Sequence, residues 1–155
     1  MRRSLTCLSA FLLLLTALVQ CQQLTVQVAT EKPVVLQKSD IETLPHAKAT
    51  ANSATYEGVA LRSVLEKAGV TFGETLRGKR LASCLLVEAA DGYRVVIALP
   101  ELDPAFTDKQ AILAFLKDGK PLDEKEGPYR IVIPDEKRMA RWVRQVTTLK
   151  ILDVH

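Results

Sequence analysis

Arg138, Arg141 and Arg144 recur at every third residue of "PDEKRMARWVRQV", with Lys137 beside them and Arg130 just upstream. A guanidinium presents planar, permanently charged donors that match phosphate or carboxylate oxygens, so such a cluster can grip a phosphate-bearing ligand through bidentate bonds. The same arginines can instead form a solvated face paired with Asp135, Glu136 and other carboxylates, where each pair contributes little. Trp142, the single tryptophan, lies among them and can either stack on a heterocycle or pack against the domain. Tyr93, directly after Asp91-Gly92, either lines a binding cleft or caps a sheet.

Other chemistry is sparse. The three cysteines are Cys7, Cys21 and Cys84, and the two histidines are His46 and His155. No Cys/His spacing fits a zinc site, and no nucleophile has a histidine placed as its base. Cys84 sits in the apolar stretch "LASCLLVEA", where a small buried hydrophobe is expected. The aspartates of Asp91-Gly92 and Asp118-Gly119 are accounted for by hairpin turns. The residues assign no catalytic group and no metal ligand.

The opening "MRRSLTCLSAFLLLLTALVQC" reads as an export signal over residues 1–21. Arg2 and Arg3 precede an apolar run from Leu8 to Val19, and Val19-Gln20-Cys21 offers a cleavage site. That run has 12 residues, short of the roughly 20 that span a bilayer as a helix. Gln20 is a poor fit to a lipid-acylation site at Cys21; "RRSL" carries the twin arginine of folded export, but the very short n-region and strongly apolar run suit the simple unfolded route better, with the other two routes left open. A single mature domain over 22–155, periplasmic or secreted, is therefore expected.

Losing Arg2 and Arg3 lowers the formal charge of +3 by two. The arginine cluster is then a local feature on a nearly neutral chain, and charge gives no case for nucleic acid.

The elements that would position these residues are short. "LTVQV" and "PVVLQ" read as strands, and "SDIETLP" as a helix with Ser39 as N-cap, Glu42 completing a capping box and Pro45 stopping it. "AKATANSATYEG" suggests one or two strands around a turn near Asn52. "VALRSVLEKAGV" places Leu61, Val64, Leu65 and Ala68 on one helical face, with Gly69 as C-cap. "RLASCLLVEAADGYRVVIAL" and "AILAFLKDGKPL" read as hairpins on Asp-Gly turns, and "YRIVIP" and "VTTLKILDV" as strands. The sum is a β-dominated α+β domain with short helices.

Four blocks, "TYEGVALRSVLEKAGV", "ADGYRVVIALPELD", "AFLKDGKPL" and "GPYRIVIPDEKRMARWVRQVTTLKI", occur in the order seen in the molybdopterin-binding domain of the sulfite oxidase family. Over about residues 32–152 the chain resembles the small stand-alone exported members of that family. The resemblance implies mixed, curled sheets and a cleft for a molybdenum–pterin cofactor with an anionic tail. It also implies that the segment "GPYRIVIP…RWVRQV" lies along the cofactor. Arg130, Arg141 and Arg144 become the leading cofactor contacts on that basis, with Arg138, Tyr93 and Trp142 as further candidates. Arg144 stands where catalytic members often carry lysine.

One departure bears on function. Catalytic members of the family bind molybdenum through a cysteine thiolate placed before the "YEG" block. Here the corresponding stretch, "HAKATANSATYEG", has Ala51, Asn52 and Ser53 and no cysteine. Neither amide nor hydroxyl replaces a soft anionic thiolate.

The resemblance with this departure points first to a binding module for a molybdopterin-like or other anionic ligand, or for a partner protein. Two alternatives stay open. One is an active molybdopterin-dependent oxidoreductase, or a subunit of one, that holds its metal without a protein cysteine. The other is a non-catalytic structural or interaction protein with a closed cleft.

Overall fold

The computed structural model describes residues 22–153; the leader expected over 1–21, and His155, lie outside the described residues. β1 (Gln23–Val28) and β2 (Val34–Gln37) pair antiparallel, with Val26 opposite Val34. α1 (Lys38–Glu42) follows without a break. It starts earlier than the sequence suggests. Gln37 is extended at the end of β2 and takes the N-cap position, and its N–H donates to Asp40 Oδ2 at 2.9 Å. Ser39, the expected cap, is already inside the helix because the strand leads straight into it.

β3 (His46–Ala51) and β4 (Ala54–Ala60) form a hairpin around Asn52-Ser53. Both turn residues have positive φ, 51° and 61°, the geometry that twists a two-residue turn with its strands. α2 (Leu61–Lys67) buries Leu61, Val64 and Leu65. Val59 and Ala60, expected at the start of this helix, pair instead with Leu113 and Ile112 in the sheet.

β5 (Cys84–Ala89) and β6 (Arg94–Ala98) flank Asp91-Gly92 as expected. β5 starts later than the sequence suggests because Gly78–Ala82 coils into a 3₁₀ turn. β7 (Ile112–Lys117) and β8 (Lys120–Pro121) flank Asp118-Gly119. That turn also clamps β4: Thr55 N–H donates to Asp118 Oδ1 at 2.8 Å, and Asp118 N–H returns to the Thr55 carbonyl at 2.7 Å. β9 (Arg130–Val132) is shorter than expected and pairs with β7. β10 (Val146–Leu152) closes the set.

Two five-stranded sheets result. One has the order β2-β1-β10-β5-β6; the other runs β3-β4-β7-β8, with β9 also on β7. β1 and β10 are parallel while their other neighbours are antiparallel, so the first sheet is mixed. The fold is α+β, sheet-dominated with short helices. A single apolar cluster joins the two sheets: Leu24, Val26, Val87 and Leu149 from one, Val59, Ile112 and Leu113 from the other. No helix among the described residues is long and apolar enough to cross a membrane.

Strand alternation decides the place of Cys84. In β5, Leu85, Val87 and Ala89 are buried, whereas Cys84, Leu86 and Glu88 are only half-buried on the opposite face. The expectation of a core cysteine is corrected: a period of two puts Cys84 on the outer face whenever its neighbour Leu85 is inward.

Gly58 has the strictest steric requirement in the fold. It lies at a register shift between β4 and β7, and a Cβ built on it would stand 2.0 Å from the Leu113 carbonyl oxygen and 2.6 Å from Ala114 Cα. Those are backbone atoms, so no rotamer change can relieve the clash. Gly58→Ala should destabilise the protein by about 3 kcal/mol or more, the upper end of overpacking costs, measured as a drop in the denaturant midpoint. An unchanged midpoint would show that β4 and β7 do not approach this closely.

Candidate functional site

The basic segment is held in place by β9. Ile131 N–H donates to the Val143 carbonyl at 2.8 Å, and Val146 N–H to the Tyr129 carbonyl at 2.9 Å. Within the tethered stretch Trp142 and Val143 are buried and Arg144 is exposed. Trp142 is locked further by its indole Nε1–H, which donates to the Ile133 carbonyl at 3.0 Å.

A cleft of about 240 Å³ opens beside this segment, walled by Asp91, Tyr93, Met139, Trp142, Arg144 and Gln145 among others. Its parts come from distant stretches. The Asp91 carboxylate accepts the Tyr93 N–H at 2.9 Å, and the Tyr93 hydroxyl donates to the Ala140 carbonyl at 2.7 Å. That contact ties the β5–β6 turn to the 3₁₀ turn Met139–Arg141. The β3–β4 tip reaches the same wall, because Asn52 Nδ2 donates to Met139 Sδ at 2.7 Å.

Arg130 lies behind this wall rather than in the cleft lining. Its guanidinium carbon is 5.4 Å from the Tyr56 ring centre and 5.6 Å from that of Trp142, while the two rings meet edge to face at 6.0 Å. A cation desolvated between two aromatic faces gains electrostatic attraction from both. Arg130 Nη1 donates to Glu126 Oε1, which compensates the buried charge. Lys117 Nζ approaches the same carboxylate at 3.4 Å and stands 5.7 Å from the Tyr56 ring centre. Tyr56 and then Glu126 hold the Lys117 ammonium above its usual range, against burial. Arg130 Nε is buried and has no hydrogen-bond partner among the described residues.

The six residues singled out by sequence thus separate into three places. Tyr93, Trp142 and Arg144 converge on the cleft. Arg130 supports Trp142 from within. Arg138 and Arg141 line a neighbouring open groove. Arg141 is committed there to Glu136 and to Glu101, the latter at 3.0 Å. Burial opposes its charge, but the hydrogen bonds to Glu136 and Glu101 outweigh it and raise its pKa. Arg144, by contrast, makes no ion pair among the described residues. Sequence reasoning did not single out Met139, Gln145, Glu126 or Tyr56. Tyr56 was visible in the "YEG" block, but its role depends on a contact to Arg130 across 74 residues.

The profile of the oxidoreductase molybdopterin binding domain matches residues 15–155. The chain belongs to that family. The crystal structure of the sulfane dehydrogenase SoxCD from Paracoccus pantotrophus is similar, with a TM-score of 0.67 and 23% sequence identity. The match covers 85% of this chain and 38% of that one, so the likeness is one of fold and the chain spans well under half of the larger protein. A comparison with curated protein sequences finds no match.

Tyr93 and the uncommitted Arg144 are the exposed groups of the cleft that could meet an anionic heterocycle, while Trp142, packed on Arg130 and Tyr56, forms its back wall. Asn52 and Ser53 offer a metal no thiolate, and Cys84, the one free cysteine among the described residues, lies in β5 of the other sheet. Nor do three or more His, Cys, Asp or Glu side chains cluster as metal ligands among the described residues. These residues do not fit a molybdenum held by a protein thiolate.

The wall of the cleft depends on Arg130. Arg130→Met should cost about 2–4 kcal/mol, somewhat less than stranding a buried charge completely, because Lys117 still faces Glu126. It should also shift the emission of Trp142, the sole tryptophan. Denaturant unfolding followed by that emission checks both; unchanged emission and midpoint would remove Arg130 from the support of the cleft.

Proposed function

We propose that this chain is an exported binding module of the molybdopterin domain family. It takes a pterin-like or other anionic heterocyclic ligand in the Tyr93–Trp142–Arg144 cleft and supplies no cysteine ligand to a metal. The observation that carries this is Arg144: an exposed guanidinium without an ion pair among the described residues, on the same wall as Trp142 and Tyr93. A cation left unpaired beside aromatic surface is free to bind a phosphate with charge-assisted bonds. Export is supported by Arg2, Arg3 and the apolar run that follows.

Each partner in the cleft has a separate task. Arg144 binds the anionic group, and Trp142 presents a rigid apolar edge because the Ile133 carbonyl holds its indole N–H. Tyr93 sets the width of the opening by its bond to Ala140. A cleft of about 240 Å³ is below the roughly 300–1,000 Å³ that encloses a drug-sized ligand, so it holds part of a ligand and leaves the rest at the surface.

Arg144→Ala should weaken binding of a phosphorylated pterin by about 1.5–3 kcal/mol, the worth of a hydrogen bond to a charged group, with the fold intact by circular dichroism. Calorimetric titration measures it, and equal affinity in the variant would return Arg144 to a solvated face. Protein purified from its own host should also contain molybdenum far below one atom per chain and oxidise no sulfite. Stoichiometric molybdenum would overturn the binding-module reading and favour an active oxidoreductase.

A further inference from the structure

Beyond the cleft, the chain carries a second basic feature that its ligand does not explain. An open groove of about 540 Å³ is lined by Lys109, Lys137, Arg138 and Arg141, with Asp135 and Glu136 as its acids. Arg141 and Glu136 are engaged with each other, and Glu101 takes the other side of Arg141. That leaves Lys109, Lys137 and Arg138, all exposed and none in an ion pair among the described residues, against Asp135 alone. The excess is positive on a chain whose charge is otherwise nearly balanced.

Groove and cleft share Ala140 as a common wall. Flanking that wall, Met139 is 51% exposed and Tyr93 48% exposed. Arginine, tyrosine and methionine are the types enriched where proteins meet, with lysine charges left at the rim. Tyr93 is also already oriented by its bond to Ala140, so little conformational freedom is lost when it is covered. A small anion would favour an enclosed pocket with converging donors, whereas exposed cations lining an open groove suit carboxylates spread over a protein surface.

We infer that the groove of Lys109, Lys137 and Arg138, with Met139 and Tyr93 at its edge, is a docking surface for an acidic protein partner. The partner's carboxylates meet the three cations while an apolar side chain covers Met139. Docked there, the partner adjoins the cleft mouth and encloses a ligand that the cleft leaves partly open. The docking surface does not depend on what the cleft binds.

The test uses the mature protein and a fluorescent polyglutamate peptide as the probe, with affinity read by anisotropy over a range of salt. The triple substitution Lys109→Ala, Lys137→Ala, Arg138→Ala should weaken binding roughly fivefold to tenfold and flatten the salt dependence, as loss of three exposed rim charges does. Lys67→Ala, Arg77→Ala, Lys79→Ala removes the same residue types from exposed positions elsewhere and should leave affinity within about twofold, since its charges lie off the groove. Equal losses in the two triples would mean only general charge attraction, and would overturn the assignment. Binding lost in Arg144→Ala but kept in the groove triple would move the site into the cleft and likewise overturn it. Tripolyphosphate bound more tightly than the peptide, and lost with the groove triple, would make this a small-polyanion site instead of a partner surface.

Discussion

The site is organised around one buried cation. Arg130 has 7% of its surface exposed, and a guanidinium in that position persists only where charge and shape are both compensated. Glu126 supplies the charge, and the faces of Tyr56 and Trp142 supply the shape. The residues involved come from β4, β9, the turn before β9 and the segment after it. Fixing Arg130 therefore fixes how the arginine-bearing segment lies on the second sheet, and with it the direction in which Arg144 leaves the surface.

That arrangement separates the arginines by role. Guanidinium groups three residues apart in sequence do not share an environment when the backbone between them is a 3₁₀ turn followed by a second tight turn, in which Val143 N–H donates to the Arg141 carbonyl at 3.0 Å. Arg141 is drawn to Glu101 and Glu136, Arg144 stands at the cleft, and Arg138 lies over the groove. Intramolecular pairing leaves Arg141 less free to hold a ligand than its neighbours, because a ligand would have to displace two carboxylates.

The β3–β4 hairpin contributes neutral groups to the site. Its tip reaches the cleft wall through Asn52 and Met139. What it brings there is an amide donating to a thioether, both neutral. A turn with two positive φ angles favours asparagine at this point, so the local backbone and the Asn52 side chain agree with each other. Neither serves as a thiolate would.

Much of the fold was legible in the sequence because hairpins are local. Asp91-Gly92 and Asp118-Gly119 announced their turns, the apolar alternation announced the strands, and the ordered blocks announced the family. The sequence by itself also determined that the basic residues cluster and that the stretch "HAKATANSATYEG" contains no cysteine. The tertiary structure alone decided which arginine is buried, which is paired and which is available. Those outcomes depend on contacts such as Arg141 to Glu101, 40 residues apart, and Arg130 to Tyr56, which no periodicity encodes. It also decided the side of Cys84, since a strand's pattern gives alternation but the sheet's packing chooses which face meets the core.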